Sequence, residues 1–165
     1  MLSTKSNLLF SGILTLLALG SVSHAQSGNS APHCNAIGGT VMTNLAVVDQ
    51  STTLGIVEGD LRGSVAATIL NVSEGADGTV IFTVQHHFVT DSGDTILTKQ
   101  ATATTTVVAP GLYAVLSYPV QITGGTGKYA GATGQFNNIG AADLNTGRTV
   151  FRYSGHVCFA APENP

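Results

Sequence analysis

Apolar and polar side chains alternate along most of this chain, with the two-residue period of β-strands that have two different faces. The alternation is clearest between residues 79 and 90, where one predicted face carries Val80, Phe82, Val84, His86 and Phe88. No window places apolar residues at helical spacing over about three turns. The pattern therefore predicts an all-β protein.

Strands can be placed from this alternation and from the turn-forming residues between the alternating segments. The predicted strands are Gly38–Val48, Thr52–Glu58, Asp60–Val72, Thr79–Thr90, Thr95–Val108, Tyr113–Thr123, Gly134–Asn138 and Thr149–Phe159. Short turns make neighbouring strands antiparallel, and closure removes the exposed edges of an open sheet. We therefore predict a single closed antiparallel β-barrel of about eight strands, although the periodicity alone also allows a sandwich.

Two further predicted faces are mainly apolar. One carries Leu112, Ala114, Leu116, Tyr118, Val120 and Ile122, and the other carries Phe151, Tyr153, Gly155, Val157 and Phe159. Such an interior is typical of a cavity for a small apolar ligand, and equally of a barrel filled by its own side chains. A cavity of roughly 300 Å³ or more would favour the ligand.

His86, Tyr118 and Tyr153 are the candidate residues for a ligand cavity. A histidine on an apolar face could shuttle a proton or hydrogen-bond a ligand, but such residues more often only satisfy a neighbouring backbone or hydroxyl group. A tyrosine could bond a ligand or simply pack. His87 faces away from His86, so the two cannot chelate one metal ion from a regular strand, and we predict no metal site.

Charge is sparse, since only 9% of the residues are charged. No cluster of basic side chains is present, which argues against nucleic acid as a partner. Glu58 and Asp60 share a face with Arg62, an arrangement that could support acid–base chemistry. Beside a glycine bend, we interpret it instead as a row of solvent-side charges. The uncharged remainder of the surface would also suit a homo-oligomer.

The first 25 residues have the features of a secretory signal peptide. Lys5 precedes an apolar stretch at residues 8–19, and Ser23-His24-Ala25 provides a cleavage site. The stretch is too short to favour a retained anchor. We therefore predict residues 26–165 to be one secreted or periplasmic domain, with no membrane association after cleavage.

Cys34 and Cys158 are the two cysteines, near the two ends of the predicted domain. In an oxidising compartment such a pair predicts a disulfide, worth about 5 kcal/mol in the chain-entropy model. A metal site is the alternative, but it needs more ligands than two cysteines.

The segment between Ile122 and Phe136 is the richest in glycine, with five glycines in eleven residues from Gly124 to Gly134. Glycine disfavours a helix and permits a sharply bent corner between strands. Ile122 and Tyr129 stand where a P-loop around Gly127-Lys128 requires glycine and a serine or threonine. A loose dinucleotide-binding pattern is present, but the helix it needs cannot follow. We predict no cofactor.

This corner carries Gly124, Gly125, Thr126, Gly127, Tyr129, Ala132 and Gly134. Their spacing resembles the G-G-T-G-x-[FY]-x-x-A-x-G signature of dirigent proteins and of bacterial relatives in the allene oxide cyclase barrel superfamily. Residues 142–147 and 152–158 resemble the end of the same bacterial group, and the similarity extends over residues 44–159. Thr133 stands where plant dirigent sequences commonly have arginine.

The resemblance implies an eight-stranded antiparallel barrel, often trimeric, with a hydrophobic cavity in members that act on lipophilic molecules. It also implies that any reaction would be a cofactor-independent cyclisation or a dirigent-like coupling. The family's catalytic acids have no matched positions here, so no activity is transferred.

Two functions of different class stay open. The first is a barrel that binds a small lipophilic molecule and steers its cyclisation or coupling by shape. The second is a non-catalytic extracellular barrel with a structural or surface-binding role.

Overall fold

The computed structural model describes residues 32–159, and the predicted signal peptide lies outside these residues. Within the described range, none of the helices is long and apolar enough to cross a bilayer.

Nine strands carry the fold of the described residues, joined by short turns. They are β1 (His33–Asn44), β2 (Thr52–Gly59), β3 (Gly63–Glu74), β4 (Val80–Thr90), β5 (Thr95–Thr98), β6 (Ala101–Ala109), β7 (Leu112–Gly125), β8 (Thr133–Asp143) and β9 (Arg148–Phe159). Single-turn 3₁₀ helices lie at Ala76–Gly78 and Gly127–Tyr129.

Antiparallel pairing closes the sheet into a barrel. The strands follow one another in the order β3, β2, β1, β9, β8 and β7, and β4 completes the circle by pairing with β3. Between β7 and β4, two short strands share one position, because β5 pairs with residues 87–89 of β4 and β6 pairs with residues 80–84. The barrel therefore has eight positions, which confirms the predicted all-β closed barrel.

The prediction of one continuous strand from Thr95 to Val108 is wrong, because the chain leaves the β4 ladder at Lys99 and Gln100. Side-chain hydrogen bonds bridge this break in the strand pairing. The Gln85 amide donates to the Thr98 carbonyl oxygen (2.9 Å), and the Thr98 hydroxyl donates to the His86 carbonyl oxygen (3.3 Å). The interruption thus lies directly beside His86.

The alternation predicted for β4 is confirmed, whereas that for β7 fails at Leu116. Val115 pairs with Gly140, but Tyr118 pairs with Asn138, so β7 carries an extra residue in a β-bulge. Consequently Val115 faces the core with 2% exposure, while Leu116 faces solvent with 75% exposure. Beyond the bulge, Tyr118 is buried inside the barrel as predicted.

The predicted disulfide is present and joins β1 to β9. Cys34 and Cys158 are directly opposed in this antiparallel pair, and their sulfur atoms are bonded across a sequence separation of 124 residues. The bridge therefore fastens together the strands that contain the two ends of the barrel.

The glycine-rich corner closes one end of the barrel. Thr126 binds Thr95 through both its backbone amide (3.1 Å) and its hydroxyl oxygen (2.8 Å), which attaches the corner to β5. Gly127 has a φ of 53°, in the left-handed region that favours glycine. The attachment places Tyr129 and Ala132 in the interior, where they are 1% and 0% exposed.

Gly125 at this corner should not tolerate a methyl group. A Cβ there would overlap the Thr95 carbonyl oxygen and lie 2.9 Å from the Tyr129 Cβ. We expect Gly125→Ala to lower the free energy of unfolding by about 1–3 kcal/mol, as overpacking does, measured by urea denaturation. Gly38→Ala is the control, because its Cβ would meet an ordinary contact at 3.4 Å. Equal stability of the two variants would contradict the steric explanation.

Candidate functional site

A cavity of about 130 Å³ lies in one half of the barrel interior. It is at the end where β1 turns into β2 and β8 turns into β9. Its polar side chains are four threonines, one histidine, one tyrosine and one asparagine, and none of the described residues lining it is charged. The lining residues are Val41, Thr43, Leu45, Thr53, Val65, Ala67, Ile69, Phe82, Val84, His86, Phe88, Ala103, Thr105, Val115, Tyr118, Phe136, Asn138, Ala142, Leu144, Thr149 and Phe151.

The other half of the interior is filled by side chains. Ile96, Ile122 and Tyr129 are at most 1% exposed there. Phe88 and Phe136 meet edge to face, with ring centroids 6.0 Å apart, and line the cavity on the side of this packed half. Leu144 lines the opposite side and is 48% exposed, so the cavity opens at the end far from the glycine corner.

The cavity is smaller than the roughly 300 Å³ that the sequence argument set for a ligand site. The cavity is small because side chains fill the other half of the barrel interior. An apolar protein cavity of about 150 Å³ is nevertheless large enough to bind benzene. The size therefore suits a compact molecule with about one ring.

His86 and Tyr118 meet at the cavity wall. The Tyr118 hydroxyl lies 2.8 Å from the Nε2 atom of His86, and the ring centroids are 5.4 Å apart. The residues come from β4 and β7, with the broken β5–β6 position between them. His86 also stacks on Phe88, at a centroid distance of 5.9 Å, which holds the imidazole against an apolar neighbour.

Burial keeps both members of this pair neutral. Removal from water lowers the pKa of His86 to about 4, and electrostatic interaction with the neighbouring His87 adds a smaller lowering. Burial raises the pKa of the Tyr118 hydroxyl well above its ordinary value of 10. Near pH 7 the cavity therefore contains a neutral imidazole hydrogen-bonded to a neutral phenol.

One atom of the pair has no hydrogen-bond partner among the described residues, namely the buried Nδ1 of His86. A neutral imidazole has one donor nitrogen and one acceptor nitrogen. If Nδ1 carries the proton, a buried donor is unsatisfied. If Nε2 carries it, Nε2 donates to Tyr118, and the Tyr118 hydroxyl proton is free for another acceptor.

The cavity threonines have nearby hydrogen-bond partners. The hydroxyls of Thr43 and Thr149 bond to each other at 2.7 Å. Thr53 donates to the Ala67 carbonyl oxygen (3.2 Å), and Thr105 donates to the Val80 carbonyl oxygen (3.0 Å). The mutual bond of Thr43 and Thr149 leaves one of their hydroxyl protons unused, whereas the His86–Tyr118 pair includes the buried atom, Nδ1, that has no partner among the described residues.

Asn138 is a lining residue that the sequence argument missed. Its amide donates to the Tyr118 carbonyl oxygen (3.2 Å), and it is 5% exposed. The predicted strand ended at this residue, whereas β8 continues to Asp143. Extending the alternation from Phe136 would have placed Asn138 inside.

Tyr153, the third predicted cavity residue, does not line the cavity. Its hydroxyl accepts from the Leu61 amide (2.9 Å) and donates to the Glu58 carbonyl oxygen (3.1 Å). Burial raises the pKa of this hydroxyl. Tyr153 thus braces the β2–β3 turn, and the structure brings together only His86 and Tyr118 of the three candidates.

The other predicted features lie away from the cavity. Glu58, Asp60 and Arg62 are exposed, where Asp60 accepts from the Gly38 amide (2.8 Å) and Arg62 pairs with Asp91. The corner formed by Gly124, Gly125, Gly127, Tyr129 and Gly134 lies at the packed end. Within residues 32–159, no group of three or more histidine, cysteine or acidic side chains is placed to hold a metal ion.

Comparison with solved structures finds a likeness in fold. No family model matches the chain, and no curated protein matches it. The chain is similar to the pterocarpan synthase dirigent protein GePTS1, with 14% identity, a TM-score of 0.36, and coverage of 81% of this chain and 89% of that chain. The likeness to allene oxide cyclases, which the sequence resemblance implies, stays a prediction. At such identity and TM-score, the likeness does not place the chain in the dirigent family and carries no weight for its function.

Proposed function

We propose that this barrel binds a compact, neutral, largely apolar molecule in the cavity beside Tyr118 and His86. The observation that carries the proposal is a mainly apolar cavity that opens at one barrel end and contains a buried histidine–tyrosine pair with unused hydrogen-bonding capacity. Charged ligands are disfavoured, because no described lining residue could compensate the cost of burying an ion.

Shape-directed cyclisation or coupling, which the sequence resemblance implies, would use the same cavity. Confinement can lower a barrier by several kcal/mol through orientation alone. A reacting molecule larger than about one ring would have to extend through the open end past Leu144.

Export to an oxidising compartment belongs to the same proposal, and the Cys34–Cys158 disulfide supports it. Self-association, trimeric by the resemblance, also stays a prediction. Ile56, Ile139 and Val150 on the outer face are each about half exposed and offer apolar surface for it.

Filling the cavity should abolish binding of a small apolar probe. Ala67 lines the cavity, and leucine there would occupy part of its volume. We expect benzene to bind the wild-type protein and to lose at least tenfold in affinity, about 1.4 kcal/mol, in Ala67→Leu. Titration followed by methyl NMR shifts of the lining valines and isoleucines measures this. Benzoate should not bind, because its charge would be buried without a partner.

Ala66→Leu is the matched control, because Ala66 points to the outside of the same strand. It should bind benzene like the wild type. Absence of benzene binding to the wild type, or equal binding by both leucine variants, would refute the proposal and favour the structural barrel.

A further inference from the structure

Resting on the proposed cavity function, we infer that the ligand carries a neutral hydrogen-bond acceptor, of the ketone or aldehyde class, and that Tyr118 is the residue that selects it. The inference goes beyond an apolar fit, since it assigns the chemistry of one ligand atom. It follows from which hydrogen-bond donors and acceptors of the His86–Tyr118 pair have a partner in the structure and which do not.

The first step is the tautomer of His86. With the proton on Nδ1, the interior would contain a buried N–H without an acceptor among the described residues. An unsatisfied buried donor costs about 1–3 kcal/mol, and unpaired buried N–H groups are rarer in proteins than under-used acceptors. With the proton on Nε2, which donates to the Tyr118 oxygen at 2.8 Å, the unpaired donor is instead the Tyr118 O–H, and a ligand in the cavity can accept from it. In the ligand-bound barrel the proton on Nε2 is therefore favoured, because it leaves no donor of the pair unsatisfied.

The second step is the direction of the Tyr118 hydroxyl proton. When the phenol oxygen accepts from His86, its own O–H must donate elsewhere. His86 is the hydroxyl's hydrogen-bond partner among the described residues. Both residues line the cavity, but Nδ1 of His86 is enclosed, so the Tyr118 O–H is the group of the pair that a ligand can meet.

The third step is the class of ligand that such a donor selects. A carbonyl oxygen can accept a hydrogen bond and brings no donor of its own, which matches the one free donor of the His86–Tyr118 pair. An alcohol would add an O–H for which the enclosed Nδ1 provides no accessible acceptor. A hydrocarbon of the same shape would leave the Tyr118 donor unpaired.

Two probes of nearly equal shape test this assignment. Cyclopentanone and methylenecyclopentane differ in a C=O or C=CH₂ group and are small enough for a cavity of about 130 Å³. We expect Tyr118→Phe to weaken cyclopentanone binding about tenfold or more, because the carbonyl is then buried without a donor. The same substitution should leave methylenecyclopentane binding unchanged within about twofold or improve it.

Two spectroscopic measurements keep the test independent of stability. The carbonyl stretch of bound cyclopentanone should lie at lower frequency in the wild type than in Tyr118→Phe, since a hydrogen bond weakens the C=O bond. In the cyclopentanone complex, the ¹⁵N NMR shifts of His86 should show the proton on Nε2. Protonation on Nδ1 or an unshifted carbonyl stretch would overturn the inference.

The outcomes also separate this inference from the proposed function. If neither probe binds the wild-type protein, the cavity function itself fails. If both bind and Tyr118→Phe weakens them equally, the cavity function stands and the acceptor assignment is wrong.

Discussion

Acidification from pH 6.5 to pH 4 should lower the free energy of unfolding by about 3 kcal/mol through His86 alone. Burial lowers the pKa of His86 from 6.5 to about 4 in the folded protein. Between these values the unfolded chain binds a proton that the folded chain does not. The stabilisation is therefore complete above pH 6.5 and is lost progressively down to pH 4, by about 1.4 kcal/mol for each pH unit.

Urea denaturation at several pH values between 7 and 4 measures this loss. His86→Gln should be nearly insensitive to pH over the window, whatever its stability at pH 7, because glutamine does not titrate. His156→Gln is the control, since His156 is exposed on the outside of β9. A wild-type pH slope in His86→Gln would show that another group causes the loss.

The acidic residues with shifted pKa act at lower pH. A hydrogen bond from the Ser51 hydroxyl is the largest cause that lowers the pKa of Asp49 below 3.8, and one from Thr146 does the same for Asp143. Such carboxylates contribute stability that is present above their ordinary pKa and is lost below it. As the pH falls, the loss of stability from these two carboxylates therefore begins near pH 4, where the loss from His86 ends.

Much of the barrel could be predicted because alternation in β-strands depends only on neighbouring residues. The inward face of β4, with Phe82, His86 and Phe88, follows directly from the two-residue period. The same rule fails in β7, because a bulge shifts the register at Leu116 and leaves no clear mark in the sequence. The interruption of the predicted fifth strand at Lys99 likewise leaves no clear mark in the sequence.

The candidate site could be predicted only as separate residues. His86 and Tyr118 are 32 positions apart on strands that are not neighbours in the sheet, and their 2.8 Å contact depends on barrel closure. Alternation correctly places Tyr153 inside the barrel. It cannot tell which half of the interior is filled by side chains and which half contains the cavity. That distinction depends on Tyr129, which the glycine corner places in the interior.

Removal of the Cys34–Cys158 disulfide should cost the barrel about 2–5 kcal/mol. The bridge closes a loop with a sequence separation of 124 residues, so its loss gives the unfolded chain a large gain in freedom. The two cysteines oppose each other in the β1–β9 ladder, which makes twelve residue pairs and can persist without the bridge. We therefore expect a folded but much less stable barrel.

The double variant Cys34→Ser/Cys158→Ser tests this expectation by urea denaturation with and without a reducing agent. The wild type should lose stability on reduction, whereas the variant should not respond. Because the bridge lies at the packed end of the barrel, the distant cavity should keep its benzene affinity under conditions where the variant is folded. A stability loss below about 1 kcal/mol would mean that the β1–β9 ladder alone keeps the chain ends together. Loss of benzene binding in the folded variant would mean that the packed end controls the shape of the cavity.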